Sequence, residues 1–132
     1  MIFIDSNIPM YLVGADHPHK SDSRRLLERY VAEKTPLVTD VQVFQEIIHR
    51  YVAIGRRDAV RPAFDTLLAV VETVYSIEFS DVEQARDLVL GKRKLSARDA
   101  IHVAVMERHA IKRIMSFDVG FDSVSTVTRI YE

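Results

Sequence analysis

The chain has 132 residues, 48% hydrophobic and 28% charged, with a formal net charge of −1, a balance that suits one globular domain with a single core over residues 1–132 and does not announce a nucleic-acid binder. The absence of cysteine excludes disulfides, zinc–thiolate sites and thiol nucleophiles. No apolar run is long enough to span a bilayer, and the opening residues lack the basic and long apolar regions of a signal peptide, so a cytoplasmic location without a membrane partner is expected.

Residues 2–5 read as a strand, 6–13 as a short helix and 20–34 as a longer one. Pro36 precedes a second strand, Leu37-Val38-Thr39, and Asp40 is placed to cap a helix through about Ile54. In that helix Val41, Phe44, Ile47, Ile48 and Tyr51 recur at helical spacing. Gly55 ends it, and another helix covers roughly 58–71. Thr73-Val74-Tyr75-Ser76-Ile77 is β-branched and aromatic and reads as a third strand. Ser80 or Asp81 caps a helix to about Leu90, closed by Gly91, and Ser96 opens another to about Ala110. Residues 113–117 and 126–130 are the last two strands. The alternation predicts an α/β fold with a parallel sheet covered on both faces. Right-handed crossovers then bring the carboxyl ends of the strands to one edge, where open α/β sheets bind ligands.

Four acids are placed near that edge. Asp5 ends the apolar run Met1-Ile2-Phe3-Ile4, and Asp118 ends Ile114-Met115-Ser116-Phe117. Asp5 is also a favoured helix cap. Glu46 lies in the first turns after the second strand. Its helical position sets it opposite Phe44, Ile47, Ile48 and Tyr51, with Gln42 and His49, where a solvated glutamate is the ordinary reading. Asp99 stands three residues after Ser96, as in a capping box, yet opens a helix that is apolar nearly all round. A carboxylate at the buried mouth of such a helix needs a partner. Several acids converging on one point repel each other unless a cation joins them, so a divalent-metal site is the leading expectation.

Other chemistries find no support. His102 and His109 are seven residues apart, and His17 and His19 bracket Pro18, so no His-x-x-x-His pair exists and the histidines read as structural or surface residues. There is no glycine-rich dinucleotide fingerprint, no P-loop lysine motif and no Gly-x-Ser-x-Gly elbow. A second acid two residues after the first, which a phosphoaspartyl phosphatase needs, is absent because position 7 is Asn.

Taken together, Ile2-Phe3-Ile4-Asp5-Ser6-Asn7, Val41-Gln42-Val43-Phe44-Gln45-Glu46-Ile47, Leu95-Ser96-Ala97-Arg98-Asp99-Ala100-Ile101-His102 and Ile114-Met115-Ser116-Phe117-Asp118 resemble a PIN-domain nuclease in order, spacing and total length. The compact size is similar to the toxin nucleases of VapBC-type toxin–antitoxin pairs. The resemblance implies a three-layer α/β/α sandwich with a mostly parallel sheet and a Mg2+- or Mn2+-dependent endoribonuclease leaving 5′-phosphate and 3′-hydroxyl ends. It assigns the principal metal to Asp5 and Asp99, with Glu46 and Asp118 acting through water or on a second ion. Asn7 and Ser116 match positions that support the site. Many relatives carry a further aspartate two residues after the last acid; here that residue is Gly120, so either Asp122 compensates or a second metal position is weak, and the resemblance leaves one metal or two open.

Oxygen-rich donors suit hard divalent cations, which lower the pKa of a bound water and offset phosphoryl charge. Lys92, Arg93, Lys94 and Arg98, just ahead of Asp99, are candidate contacts to RNA phosphate. The resemblance also implies a small antitoxin whose tail covers the acidic pocket, with Arg or Lys on the carboxylates. Apolar surface around Val41–Tyr51 and Phe64–Val71 suggests a homodimer. The competing reading is a non-catalytic α/β interaction module whose acids are caps and surface groups.

Overall fold

The computed structural model describes residues 1–92 and 94–132. Five strands form its centre: β1 (Ile2–Ile4), β2 (Leu37–Asp40), β3 (Thr73–Tyr75), β4 (Arg113–Met115) and β5 (Thr128–Ile130). They lie in the order β3-β2-β1-β4-β5, and every neighbouring pair is parallel. Phe3 at the middle of β1 pairs with Val38 on one side and Ile114 on the other. Strands sandwiched in this way read as unbroken apolar runs because both faces are covered. Ile2, Phe3, Ile4, Val38, Ile114 and Met115 are accordingly sealed from solvent.

The helices are α1 (Asn7–Val13), α2 (Pro18–Ala32), α3 (Val41–Ala53), α4 (Val60–Leu68), α5 (Phe79–Gly91) and α6 (Ala97–Arg108), with 3-10 turns at Arg57–Ala59 and Val119–Ser123. Sheet and helices make the three-layer sandwich that the alternation implied. The chain runs outward from β1 to β2 and β3, then crosses back to β4 and on to β5. Connections leaving β1 and β4 therefore diverge, and a crevice opens beyond the carboxyl ends of these two adjacent strands. Asp5 and Asp118 follow those two strands.

Local signals explain most boundaries. Asp40 caps α3 as expected, its side chain accepting from the Val43 amide at 3.0 Å. α2 starts two residues earlier than the sequence suggested, because Pro18 occupies its first turn and the His17 ring serves as the cap acceptor. α5 is capped by Glu78, not by Ser80 or Asp81. Asp81 instead sits at the third helical position and closes a reciprocal capping box. It also holds Arg108 of α6 through both oxygens, at 2.9 and 2.8 Å, which ties the two helices together. Gly91 belongs to α5 and does not close it in the left-handed conformation. Among the described residues no helix is long and apolar enough to cross a membrane.

Candidate active site

One cavity of about 600 Å3 gathers Asp5, Glu46, Asp99 and Asp118, together with Ser6, Asn7, Tyr11, Arg50, Arg56, Ser96 and Arg98. Asp5 is set by the turn that follows β1. Its Oδ1 accepts from the Ser6 amide at 2.8 Å, and its Oδ2 accepts from Ser116 Oγ at 2.6 Å and Asn7 Nδ2 at 3.3 Å. Ser116 Oγ also accepts from Asn7 Nδ2 at 3.1 Å and from the Asp118 amide at 3.0 Å. The ends of β1 and β4 are thus stitched across the crevice by two small polar side chains. Asp118 Oδ1 in turn accepts from the Gly120 amide at 2.8 Å.

Glu46 is 8% exposed, contrary to the solvated position that its helical phase suggested. The buried arc of α3 runs through Val43, Glu46, Ile47 and Tyr51. Val41 and Ile48 are 46% and 44% exposed, so the helix is turned roughly a quarter-turn from the orientation its apolar residues alone would choose. What holds it there is polar. Glu46 Oε2 accepts from Ser6 Oγ at 2.7 Å, and Oε1 lies 2.8 Å from His102 Nε2. His102 Nδ1 lies 2.8 Å from Asp40 Oδ2. His102 and Asp40 are completely buried, so the imidazole bridges two carboxylates inside the protein.

These contacts divide the acids electrostatically. Burial alone would lift the Glu46 carboxyl, but its hydrogen bond to His102 and the attraction of His102 hold it below the ordinary value. Burial works against a charge on His102 as well. The Asp40 and Glu46 carboxylates outweigh it, and the ring stays protonated well above its usual range. Asp5 goes the other way: burial lifts its carboxyl, Glu46 adds to the rise, and the opposing pull of His102 and Ser116 does not cancel it. Asp99 is pushed up to about 8 by burial, then by Asp5 and by a shared hydrogen bond with Asp118. Asp5, Glu46 and His102 do present atoms within 4.8 Å of one another, an arrangement that could hold a metal. Both ring nitrogens of His102 are already engaged, however, and its protonated form is no ligand. The carboxyls that the pull of His102 leaves raised are Asp5, 3.9 Å from its Nε2, and Asp99. An all-oxygen donor set in this condition fits a hard divalent cation.

A PIN domain model matches residues 2–127. VapC ribonuclease Mb1869c of Mycobacterium bovis and Ribonuclease VapC13 of Mycobacterium tuberculosis are each 59% identical over 130 residues, 98% of this chain and 99% of theirs. This chain belongs to the PIN-domain family. Ribonuclease VapC23 of Mycobacterium tuberculosis is 37% identical over 118 residues, covering 89% of this chain and 93% of its own. Among solved structures, Mycobacterium tuberculosis VapC20, described as a sarcin–ricin loop cleaving toxin, superposes with a TM-score of 0.80 at 24% identity over the full length of both chains. VapBC2 of Rickettsia felis, solved on a promoter DNA fragment, gives 0.74 at 13% identity over 98% of each. At these identities the superpositions speak for the fold.

In this PIN domain the remaining candidate residues separate clearly. Arg98 lines the acidic cavity, whereas Lys92 and Lys94 do not, and Arg93 lies outside the described residues. Asp122 is not among the residues lining the cavity. Its two oxygens are engaged by Arg129 Nε at 3.0 Å and Nη2 at 3.1 Å, and that guanidinium also donates to the Ser116 carbonyl at 3.3 Å. Its support of the site is therefore indirect, through the backbone at the end of β4. Arg50 and the pair Asp40–His102 were not singled out from the sequence, and Arg56 reads there only as one of a basic pair at a helix end. The signals for the pair were present: Asp40 ends β2 as Asp5 follows β1, and His102 lies three residues after Asp99, on the same helical face.

Gly120 has a steric reason. A Cβ there would lie 3.0 Å from the Lys94 carbonyl oxygen and 3.1 Å from Asp118 Oδ1. A side chain at this position pushes on backbone and on a candidate ligand at once. Gly120→Asp is expected to lower both the melting temperature and the cleavage rate, read by thermal unfolding and RNA cleavage, and not to add a working acid. A faster enzyme with unchanged stability would contradict this.

Proposed function

We propose that the chain is the RNA-cutting toxin of a toxin–antitoxin pair, hydrolysing RNA phosphodiesters with water activated by Mg2+ or Mn2+ in the acidic cavity. The observation that carries it is the unequal state of Glu46, Asp5 and Asp99 inside one cavity. Glu46 is hydrogen-bonded to the His102 imidazolium and held low, whereas Asp5, 3.9 Å from the same ring nitrogen, and Asp99 stay raised despite its pull. Asp5 and Asp99 would hold the ion, with Glu46 and Asp118 beside it. When bound, the ion supplies a water of lowered pKa and offsets charge on the phosphoryl oxygens. Ser116, Asn7 and Ser6 fix the Asp5 and Glu46 carboxylates before substrate arrives, so little reorganisation is needed at the moment of reaction. Arg50 and Arg98 line the same cavity and are placed to hold the phosphates that flank the cut.

The test is cleavage of RNA with and without chelator. EDTA is expected to abolish cutting, and Mg2+ or Mn2+ to restore it together with a saturable rise in melting temperature. Undiminished cutting in EDTA would refute the reading. Arg50→Ala and Arg98→Ala are each expected to weaken RNA binding and to reduce the slope of log K against log salt by about one. Lys92 and Lys94, outside the cavity, are expected to change it less.

An antitoxin tail carrying Arg or Lys is the complementary partner for such a pocket. Phe44 and Phe64 meet edge-on at 4.7 Å, and Ile48 and Leu68 extend those two rows one turn along the exposed faces of α3 and α4. This apolar strip supports a homodimer, and Ile48→Glu with Leu68→Glu should yield monomers by light scattering. The cytoplasm, where RNA and such a partner are met, is the location that fits.

A further inference from the structure

Four rings stand beside the acidic cavity. Tyr11 of α1 lines the cavity itself. Phe117 lies between Ser116 and Asp118, one residue from each of these site groups. His19 stacks on Phe117 with centroids 3.9 Å apart and planes within 8°. Tyr11 meets both edge-on, at 5.1 Å and 5.6 Å, and lies 4.8 Å from the His17 ring. His17 is held in place because its Nδ1 accepts the His19 amide at 3.0 Å. None of the four is fully buried, and His17 is exposed. Just beyond them a second cavity of about 470 Å3 is lined by Asp16, His17, Pro18, Lys20, Ser21 and Arg24.

We propose that Tyr11, His17 and His19, backed by Phe117, form a stacking subsite for a nucleobase next to the cleaved phosphate, with Arg24 at the following phosphate. The proposal rests on the ribonuclease reading of the acidic cavity. Two properties of RNA match two properties of this surface. Arg50 and Arg98 line the cavity from α3 and α6, which suits the phosphates, while the Arg56 guanidinium is engaged by Asp58. The ring cluster enters from α1 and the start of α2, which suits an unstacked base, since every base offers a π-face to aromatic and imidazole rings. Rings already packed on one another lose little rotamer freedom on binding, so the surface is pre-organised.

The experiment uses a short unstructured oligoribonucleotide carrying 2-aminopurine, with metal chelated so that the RNA stays intact. His17→Asn keeps a cap acceptor for α2 while removing the ring, and Tyr11→Leu keeps apolar bulk. Wild type is expected to quench the fluorophore and to bind an abasic version about tenfold more weakly. Each variant should stay folded at the assay temperature with a melting temperature only a few degrees lower, bind intact RNA about tenfold more weakly, and keep the wild-type salt slope, because stacking releases no counterions. Equal binding of intact and abasic RNA by wild type, or wild-type affinity in both variants, would overturn the subsite. So would a loss confined to an Arg-bearing antitoxin peptide with RNA binding unchanged. If the quench and its loss are seen but wild type fails to cut RNA in Mg2+ or Mn2+, the cleavage reading fails and the base contact stands.

Discussion

Asp99→Asn is expected to abolish RNA cleavage, by at least about a hundredfold, while making the metal-free chain more stable at neutral pH and above. Both effects come from one feature. The Asp99 carboxyl is driven from its ordinary 3.8 to about 8 by burial, by Asp5 and by Asp118. Below pH ~4 the group is protonated in both folded and unfolded chains, and the folded form carries no penalty. Between about pH 4 and 8 the unfolded chain ionises and the folded chain resists, so stability drains away as pH rises. Above 8 the loss is complete. The raised Asp5 acts with the same sign. His102, protonated well above its usual 6.5, adds a loss of the same sign once pH passes that value. Glu46, held below its ordinary 4.5, opposes them only in acid, where falling pH protonates it and removes its contribution. The melting temperature of the metal-free wild type should therefore fall steadily from about pH 4.5 to 8, by an amount worth a few kcal/mol. Mn2+ should reverse most of that fall. In Asp99→Asn the fall should be much shallower and the recovery with Mn2+ lost. A flat wild-type profile, or a variant that still cuts at the wild-type rate, would show that Asp99 is not a charge waiting for a cation.

The sequence carried the sheet edge well. Asp5 and Asp118 could be placed because each ends an apolar run, and a period-free apolar run of that length in an alternating chain is a strand buried on both faces. Asp99 could be placed because a buried helix opened on it. Glu46 was harder. Its helical phase argued for solvent, and only the packing of α3 against α6 shows why the phase misleads. A polar triad outbids Val41 and Ile48 for the inward position, leaving those two side chains exposed. Asp40 was read correctly as a cap and incompletely as a residue, since one oxygen caps α3 and the other meets His102. A cap is a local signal, readable within four residues. A partner 62 positions away is not. The arginines at the cavity share that limit: nothing in the local pattern around Arg50 or Arg56 distinguishes them from solvated helix-end cations.

His102→Ala is expected to cost about 3–5 kcal/mol, the usual result of removing one member of a buried charged set. At this chain length that is a fall of roughly 10–20 °C in melting temperature. The reason is what would be left behind. Asp40 and Glu46 lie 2.8 Å from either side of the ring, in an interior where His102 and Asp40 have no exposed surface. Without the imidazolium both carboxylates keep their desolvation cost and lose their compensation. Asp40→Asn separates the parts of this cost. Its amide oxygen can still cap α3, but it cannot offset the charge on His102. The double variant His102→Ala with Asp40→Asn should then recover part of the loss, giving a coupling of about 1–3 kcal/mol in a double-mutant cycle. Cleavage should fall in His102→Ala at temperatures where the variant remains folded, because Glu46 is then held by Ser6 alone and its carboxyl drifts upward in pKa, towards the neutral form. The accompanying change is a shift of the acid limb of the pH–rate profile to higher pH, which simple loss of packing would not produce. Unchanged stability, or additive effects of the two substitutions, would mean that the triad is a tolerated arrangement and that something else fixes Glu46 in the site.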